Sequence, residues 1–477
     1  MTGSLSDRRA VARRGGRTVA AEPRAVAAAV LVRVERGAFA NAALASALSA
    51  SGSAGPRLDG RDAALVTELV YGTLRMRRAC DWLLDRRLSR RPPPEPLAAL
   101  RLGAYQMAFM GTPPHAAVSS AVAATPPRWA GMVNAVLRRV AEEIGGLRGV
   151  GVCPDGSGCR DVGRQDSDES GGRGDSGGRG ESGGRGESGG GDGGGGESGG
   201  GDGGGERDLD RHRGAGAAGA IDWPDEPTRL SYPDWIVRLL EGDLGRDRAR
   251  AALEAMNRPS RAVARADGYV QDLASQWVVE MLPRPSGAVW WDACAAPGGK
   301  RSALAGRCRG VGSTVVASDG RPARVRSMVR RLDRGPETPG PVMVADGRTP
   351  PFRPGSLGMV LLDAPCSGLG ALRRRPDARW RLQPGDVDRL AGLQRQLVSA
   401  AVGVLAPGGV LAYSVCTLGS AETIGLDRWI ERAHPEMEPL DTAARGPWET
   451  WGRGRLLLPQ SAGTDGMYLL ILRKRVA

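Results

Sequence analysis

Residues 292–300 read Asp292-Ala293-Cys294-Ala295-Ala296-Pro297-Gly298-Gly299-Lys300, and this stretch decides the fold of the second half of the chain. It follows an apolar segment and precedes an amphipathic one, so its small residues form a turn from a strand into a helix. Small residues let a ligand approach the main chain closely, and the first N–H groups of the helix can bind a carboxylate. Because the GxxxxGK[ST] spacing of a phosphate-binding loop is absent here, the stretch predicts a different ligand.

Short apolar segments alternate with amphipathic helical segments from this loop to the C-terminus, and most of them end in an aspartate. The segments are Ala288–Asp292, Thr314–Asp319, Pro341–Asp346, Leu357–Asp363 and Val410–Ser414. Such alternation predicts an α/β fold with a doubly wound parallel sheet, which binds its ligand at the carboxyl ends of the strands.

Two aspartates at these strand ends are candidate ligand contacts. Asp319 follows the Gly-rich loop by one strand–helix–strand step, where a carboxylate can accept hydrogen bonds from ribose hydroxyls. A helix cap is the alternative for Asp319, since aspartate is common at that position as well. Asp346 ends the next strand and is expected to face the same edge, where it could contact an adenine or a ribose.

Two cysteines also come just after strand ends, in Asp363-Ala364-Pro365-Cys366-Ser367-Gly368 and in Tyr413-Ser414-Val415-Cys416-Thr417. A single buried cysteine is more often a small apolar core residue. Two thiols at equivalent strand ends, one of them beside Asp-Ala-Pro, favour an active-site pair instead. The residues alone do not decide which of the two thiols is the nucleophile.

Cytosine C5 is a position at which a thiol is chemically required. C5 is a poor nucleophile until a thiolate adds to C6, after which C5 can attack the methyl group of a sulfonium. A nearby arginine or helix N-terminus would favour the thiolate, and Asp363 could hydrogen-bond the N3/N4 edge of the base. Lys300 is one of only two lysines, the other being Lys474, which indicates a need for a compact ammonium in an arginine-rich chain.

Composition limits the class of protein. The formal net charge of +13 suggests a polyanionic partner such as nucleic acid, although GC-rich codon usage can also produce an arginine excess. The seven cysteines include no CxxC pair and there are only three histidines, so we expect no metal. Neither a membrane-spanning apolar run nor a signal-peptide pattern is found. We therefore expect a reduced, cytoplasmic, monomeric protein.

The chain is predicted to contain five segments. Residues 1–22 form a disordered N-terminus, and 23–146 an all-helical domain of five to seven helices with breaks at Pro92-Pro93-Pro94, Pro113-Pro114 and Pro126-Pro127. A Gly-rich disordered linker at 147–221 cannot bury enough apolar surface to fold. A helical connector follows at 222–268, and the α/β catalytic domain occupies 269–477.

These motifs together resemble the Sun family of RNA cytosine-C5 methyltransferases, most closely its RsmB-type members, and residues 23–146 resemble NusB-like helical RNA-binding domains. The resemblance implies a Rossmann-like domain that uses S-adenosylmethionine. It makes Cys416 the nucleophile and Cys366 the thiol that helps to release the product, with Asp363 and Lys300 beside them. The implied cofactor contacts are Cys294, Ala295, Ala296, Pro297, Gly298, Gly299, Lys300, Asp319, Asp346 and Asp363.

The expected substrate is a cytosine in 16S ribosomal RNA. A tRNA or another RNA remains an alternative, and so does a catalytically dead NusB-like assembly factor. Relatives carry a small RNA-binding subdomain between the helical part and the sheet. Here the chain passes from Asn257 almost directly to Tyr269, so most of that subdomain is expected to be missing.

Overall fold

The computed structural model describes residues 22–53, 58–148, 221–260, 263–284, 288–332 and 340–476. The predicted disordered N-terminus and nearly all of the predicted Gly-rich linker lie outside these residues.

The N-terminal described segments fold into seven helices. They are α1 (Pro23–Glu35), α2 (Ala40–Ser53), α3 (Gly60–Arg75), α4 (Arg77–Asp85), α5 (Pro94–Phe109), α6 (Pro114–Ala123) and α7 (Pro127–Arg148). Four of them begin at a proline, which suits the first helical position because its missing N–H would have no partner there. The three proline breaks predicted from the sequence therefore coincide with helix starts.

Three further helices and a hairpin connect this bundle to the sheet. The helices are α8 (Glu226–Leu230), α9 (Asp234–Leu244) and α10 (Arg246–Met256), and the hairpin pairs β1 (Val263–Ala264) with β2 (Val270–Gln271). Apolar side chains of α9 and α10 pack into one core with the sheet residues Trp291 and Leu362. The connector therefore covers one face of the sheet.

The remaining residues form a sheet with helices on both faces. Its strands are β3 (Val289–Asp292), β4 (Thr314–Asp319), β5 (Val342–Val344), β6 (Leu357–Asp363), β7 (Leu405–Val415), β8 (Met437–Pro439), β9 (Glu449–Trp451), β10 (Gly454–Leu457) and β11 (Met467–Lys474). The helices are α11 (Leu273–Glu280), α12 (Gly299–Cys308), α13 (Pro322–Leu332), α14 (Pro384–Val404), α15 (Ile424–Ala433) and α16 (Pro459–Ala462).

The described strands run in the order β5-β4-β3-β6-β7-β11-β10-β9, and β8 also pairs with β11. Strands β3 to β7 are parallel, and β11 is antiparallel to β7. The predicted α/β class, with a helical N-terminal part and a Rossmann-like second part, is confirmed. The antiparallel end of the sheet was not expected from the sequence.

Two predicted strands have different bounds in the structure. The segment predicted at Val410–Ser414 is the middle of β7, which begins at Leu405. The strand predicted to end at Asp346 ends at Val344, and Asp346 lies in the turn beyond it. Among the helices that the structure describes, none is long and apolar enough to cross a membrane.

A 3-10 turn at Ala378–Trp380 joins the helical bundle to the sheet. Arg379 is fully buried and donates hydrogen bonds to the carbonyls of Arg75 and Ser231 at 3.0 and 3.1 Å. The indole N–H of Trp380 donates to the carbonyl of Leu74 at 2.8 Å. Since this turn comes only twelve residues after Cys366, the segment that carries the first thiol also anchors the N-terminal helices.

Candidate active site

The Gly-rich loop leaves β3 at Asp292 and enters α12 at Gly299. Gly298 has a φ of +104°, a conformation that glycine adopts without strain, and a Cβ atom there would lie 3.0 Å from Cγ of Met328 on α13. The N–H of Ala295 donates to the carbonyl of Ser318 on β4 at 2.8 Å. The loop is therefore held against α13, and the free N–H groups of α12 lie at the carboxyl edge of the sheet.

Four charged side chains lie close together at this edge: the ammonium of Lys300 and the carboxylates of Asp292, Asp319 and Asp363. The Nζ atom of Lys300 lies 2.8 Å from Oδ2 of Asp363, and the Ser414 hydroxyl donates to Oδ1 of Asp363 at 3.3 Å. Burial lowers the pKa of Lys300, but Asp363 outweighs that effect and the net shift is upward. Burial, followed by the charge of Asp363, raises the pKa of Asp292 to about 7.

Asp292 is fully buried, and neither of its carboxylate oxygens has a hydrogen-bond partner among the described residues. A buried carboxylate without a partner is uncommon and costs free energy unless a ligand supplies the missing interactions. Asp292 has no role predicted from the sequence, where it appears only as the first residue of the motif. Its position at the end of β3, directly before the Gly-rich loop, was the signal that could have indicated one.

Two predicted cofactor contacts outside the loop, Asp319 and Asp346, have different surroundings. Asp319 is buried at the end of β4, where Arg324 of α13 lies 3.1 Å from it and the N–H of Arg321 donates to it at 3.0 Å. Arg324 also donates to the carbonyl of Ala296, which ties Asp319 to the Gly-rich loop. Asp346 is half exposed and pairs with Arg348 at 2.7 Å, while the N–H of the preceding Ala345 donates to the carbonyl of Asp319 at 3.3 Å.

Cys294 lies in the same loop and is half-buried. Burial and the neighbouring Asp292 raise the pKa of its thiol to about 12, so Cys294 stays protonated at neutral pH. A protonated thiol is a poor nucleophile, which distinguishes Cys294 from Cys416, described next.

The two predicted active-site thiols are in direct contact. Sγ of Cys366 lies 3.5 Å from Sγ of Cys416, although fifty residues separate them in sequence. Main-chain bonds fix this approach, because the N–H of Ala364 donates to the Ser414 carbonyl at 2.9 Å and that of Gly370 donates to the Cys416 carbonyl at 3.0 Å. Adjacent parallel strands β6 and β7 thus place both thiols at one edge.

The surroundings of the two thiols differ in charge. A hydrogen bond from Cys366 lowers the pKa of Cys416, and the positive charge of Arg375 acts in the same direction, while burial opposes both. The same hydrogen bond, together with burial and the charges of Cys416 and Glu422, raises the pKa of Cys366 well above its usual value. The geometry therefore favours a thiolate at Cys416 and a protonated thiol at Cys366.

A buried polar cluster behind Cys366 was missed by the sequence analysis. Glu422 is fully buried and accepts hydrogen bonds from the N–H of Ser367 and from the side-chain amide of Gln394, both at 2.9 Å. The Ser367 hydroxyl lies 2.8 Å from that of Thr417, next to Cys416. Only the tertiary fold brings Gln394 of α14 to this place, since nothing in its local sequence marks it.

A second ion pair lies on the other side of the thiols. Nε of Arg374 donates to the fully buried Asp465 at 2.6 Å, and the N–H of Asp465 faces the carboxylate of Asp272 at 3.3 Å. A Cβ atom on Gly370 would lie 2.2 Å from the carbonyl oxygen of Gly466, so the two segments pass one another in close contact. The arginine-rich segment after Cys366 and the Asp465-Gly466 turn before β11 are therefore neighbours.

The short β1–β2 hairpin contacts the Gly-rich loop from outside. Arg265 donates to the carbonyl of Gly299 at 2.6 Å and to the hydroxyl of Ser302 at 2.8 Å, and its guanidinium lies 4.8 Å from the centre of the Tyr269 ring. The short segment between Asn257 and Tyr269, where most of a subdomain was predicted to be missing, thus binds the first turn of α12. Within the described ranges, no group of three or more metal-ligating side chains is found.

Comparisons with known proteins agree over nearly the whole chain. Residues 279–473 match the family described as 16S rRNA methyltransferase RsmB/F, and residues 21–142 match the NusB family. A putative methyltransferase of Mycobacterium tuberculosis is 34% identical over 92% of this chain and 93% of its own. The ribosomal RNA small subunit methyltransferase B of Thermus thermophilus is 32% identical over 95% of this chain and 98% of its own.

The crystal structure of PH0851 covers 96% of this chain and 100% of its own, with a TM-score of 0.65 and 17% identity, a likeness that concerns the fold. On the sequence matches, the chain belongs to the RsmB/F family of 16S rRNA methyltransferases.

Proposed function

We propose that this protein methylates C5 of a cytosine in 16S ribosomal RNA, with S-adenosylmethionine as methyl donor and Cys416 as nucleophile. The observation that carries the proposal is the pair of thiols 3.5 Å apart, beside the Lys300–Asp363 ion pair, at the edge where the Gly-rich loop ends. Covalent activation of a pyrimidine needs a thiolate nucleophile, and this pair offers one at the edge where the cofactor is expected.

The residues around the Gly-rich loop suit S-adenosylmethionine. The orphaned carboxylate of Asp292 can accept from the ammonium of the cofactor, and the N–H groups at the start of α12 can bind its carboxylate. Asp319, at the end of the next strand, is the expected ribose contact. When bound, the cofactor supplies an electrophilic methyl group on a sulfonium.

Cys416 starts the reaction in this proposal. Its thiolate forms a bond to C6 of the cytosine, N3 takes up a proton, and C5 gains the electron density that accepts the methyl group. Loss of the C5 proton to a base, cleavage of the S–C6 bond and return of the N3 proton then restore the aromatic ring and the Cys416 thiolate. Cys366 is assigned to this release, because its sulfur reaches the same part of the base.

Asp363 and Lys300 are assigned to the polar edge of the base. A carboxylate at Asp363 can accept a hydrogen bond from the amino group at C4, which orients the ring over Cys416. Lys300 holds that carboxylate in place through their 2.8 Å contact and adds positive charge near Cys416. The pair is therefore assigned to the recognition of cytosine.

The RNA is proposed to bind across both parts of the chain. Residues 23–146 are proposed as the RNA-binding domain, because residues 21–142 match the NusB family and this part of the chain carries exposed arginines. Residues 269–477 are proposed as the catalytic domain. The names of the relatives favour 16S RNA over tRNA. A target base must leave its stack to reach a partly buried thiol, so an unpaired region is expected.

The test is to map 5-methylcytosine in 16S RNA from cells that lack the gene and from cells complemented with parent, Cys416→Ala or Cys308→Ala protein. Cys308 is a buried thiol at the end of α12, away from the paired sulfurs, so it is a matched control. We expect one modified cytosine to depend on the parent and Cys308→Ala proteins and to be lost with Cys416→Ala. A 16S methylation pattern unchanged by loss of the gene would refute the proposal.

A further inference from the structure

Glu422 is a fully buried carboxylate that the proposed chemistry does not use. It ends a 3-10 turn, Ser420–Glu422, that follows β7, and lies directly behind the loop that carries Cys366. Burial raises its pKa, while the hydrogen bonds from Ser367 and Gln394 oppose that shift. A carboxylate in such a place costs free energy unless several donors bind it.

The hydrogen bonds that the Glu422 carboxylate accepts lead mainly to the segment around Cys366, and Thr417, the residue after Cys416, also interacts with it. Oε1 accepts from the N–H of Ser367 and from the side-chain amide of Gln394, and Oε2 accepts from the hydroxyl of Ser367. The same amide of Gln394 donates to the carbonyl of Pro365 at 2.9 Å. The residues before and after Cys366 are therefore both held, one directly and one through Gln394.

This cluster is anchored in the sheet rather than in a loop. The Tyr413 hydroxyl, on β7, lies 3.0 Å from Oε1 of Gln394 and 2.8 Å from the carbonyl of Glu422. Tyr413 is fully buried, so the core fixes the hydrogen bonds that it makes to Gln394 and Glu422. Because Cys416 follows directly after β7, these bonds connect the Cys366 loop to the strand that precedes the other thiol.

We propose that Glu422 is a positioning residue for Cys366: it holds the Cys366 thiol against Cys416 so that the methylated base can be released. The inference rests on the proposed function, in which Cys366 serves release and Cys416 serves attack. Cys416 directly follows β7, and the main-chain pairing of β7 with β6 and β11 fixes its position more firmly than the contact of Glu422 with the next residue, Thr417. Loss of Glu422 should therefore impair release more than attack, whereas a purely structural residue would impair both steps alike.

The decisive variants are Glu422→Ala and Glu422→Gln. Alanine removes every acceptor for Ser367. In glutamine, an amide oxygen at the Oε1 position keeps the bonds from the Ser367 N–H and from Gln394, and the amide nitrogen can donate to the Ser367 hydroxyl. Geometry is thus kept in Glu422→Gln and lost in Glu422→Ala. Glu431→Ala, at an exposed glutamate of α15, serves as the matched control.

The measurement is a single-turnover reaction of the full-length protein with 16S RNA and S-adenosylmethionine, in which methyl transfer and covalent RNA–protein adduct are followed separately. For Glu422→Ala we expect adduct decay slowed on the order of tenfold to a hundredfold, with methyl transfer nearly unchanged. Glu422→Gln and Glu431→Ala should behave like the parent. Equal slowing of both steps, or no adduct in a folded Glu422→Ala protein, would overturn the inference.

Two further variants make the outcome decisive. Gln394→Ala removes the bond to the Pro365 carbonyl and should cause the same accumulation of adduct. If Glu422→Ala does not fold, Gln394→Ala becomes the deciding variant. A Gln394→Ala protein that accumulates no adduct would then refute the inference. Cys366→Ala separates the two levels of proposal. If Cys366→Ala forms adduct and the folded Glu422 and Gln394 variants do not, only the role of Glu422 fails. If Cys366→Ala forms none, the two-thiol chemistry itself fails.

Discussion

The Nζ atom of Lys300 lies 2.8 Å from Oδ2 of Asp363, and this ion pair joins the helix that follows the Gly-rich loop to the strand that leads into the Cys366 loop. The side chain of Lys300 is 9% exposed and that of Asp363 is 35% exposed, so solvent reaches the pair only from the carboxylate side. The Lys300–Asp363 ion pair therefore connects the proposed cofactor site directly to the proposed site of the base.

Replacement of Lys300 by methionine is expected to lower kcat/KM for methyl transfer by roughly a hundredfold, because it removes a preorganised positive charge from the reacting groups. The measurement is transfer of a labelled methyl group to 16S RNA. Lys474 is the matched control, since its ammonium donates only to the carbonyls of Val402 and Leu405. For Lys474→Met we expect activity within about twofold of the parent, and a similar loss in both variants would contradict the assignment.

Alkylation of Cys416 should depend on pH in a way that reveals its neighbour. The hydrogen bond from Cys366 stabilises the Cys416 thiolate and lowers its pKa, so the alkylation rate should rise with pH at values below those of an ordinary thiol. In Cys366→Ala the donor is lost, the pKa of Cys416 rises, and the profile should move to higher pH. Iodoacetamide labelling of the Cys416 peptide, followed by mass spectrometry, provides the profile; a shift to lower pH would be inconsistent with a donating Cys366.

Gly370→Ala should abolish activity, because the new Cβ atom would lie 2.2 Å from the carbonyl oxygen of Gly466, and main-chain atoms cannot move aside cheaply. The displaced segment bears Cys366 on one side and Arg374 on the other. Gly385→Ala, in α14, has no atom within 4 Å of the added Cβ and should leave methyl transfer intact. Circular dichroism separates a folded, inactive protein from an unfolded one. Full activity of Gly370→Ala would show that the close approach is not required.

Arg379→Leu should weaken the attachment of the helical bundle to the sheet. Burial lowers the pKa of Arg379 to about 10, and its guanidinium also lies 3.8 Å from the centre of the Tyr232 ring. The substitution leaves buried carbonyl groups without a donor, which costs more than a surface change. We expect the first calorimetric unfolding transition to fall by roughly 5 °C. Arg395→Leu, at an exposed position of α14, should lower it far less, and equal shifts would argue against a joining role for Arg379.

The sequence predicted those features that depend on local pattern and on motif. The strand that ends at Asp363 and the strand that carries Cys416 could be recognised because each is a short apolar run followed by polar residues. Since parallel strands end at one edge, the approach of Cys366 to Cys416 followed from the fold class. The order of the two thiols came from family resemblance alone, and the hydrogen bond between them, which lowers the pKa of Cys416 and raises that of Cys366, is consistent with it.

Features that depend on distant contacts could not be predicted in the same way. Gln394 and Glu422 meet behind Cys366 only because α14 and the turn after β7 pack together, and neither has a distinctive local sequence. The short strands β9 and β10 contain too few residues for a periodic pattern to be read. The charge environment of Asp346 also escaped prediction, because its pairing with Arg348 depends on a turn that replaces the expected end of the strand.

Trapping of the covalent adduct between cytosine and Cys416 is the most direct test of Cys416 as the attacking thiol. Full-length Cys366→Ala and Cys416→Ala proteins are each incubated with 16S RNA and S-adenosylmethionine, and the denatured products are digested and analysed by mass spectrometry. The account predicts a cytosine adduct on Cys416 in the Cys366→Ala protein and none in the Cys416→Ala protein. An adduct on Cys366 in the Cys416→Ala protein, with none in the other, would contradict it.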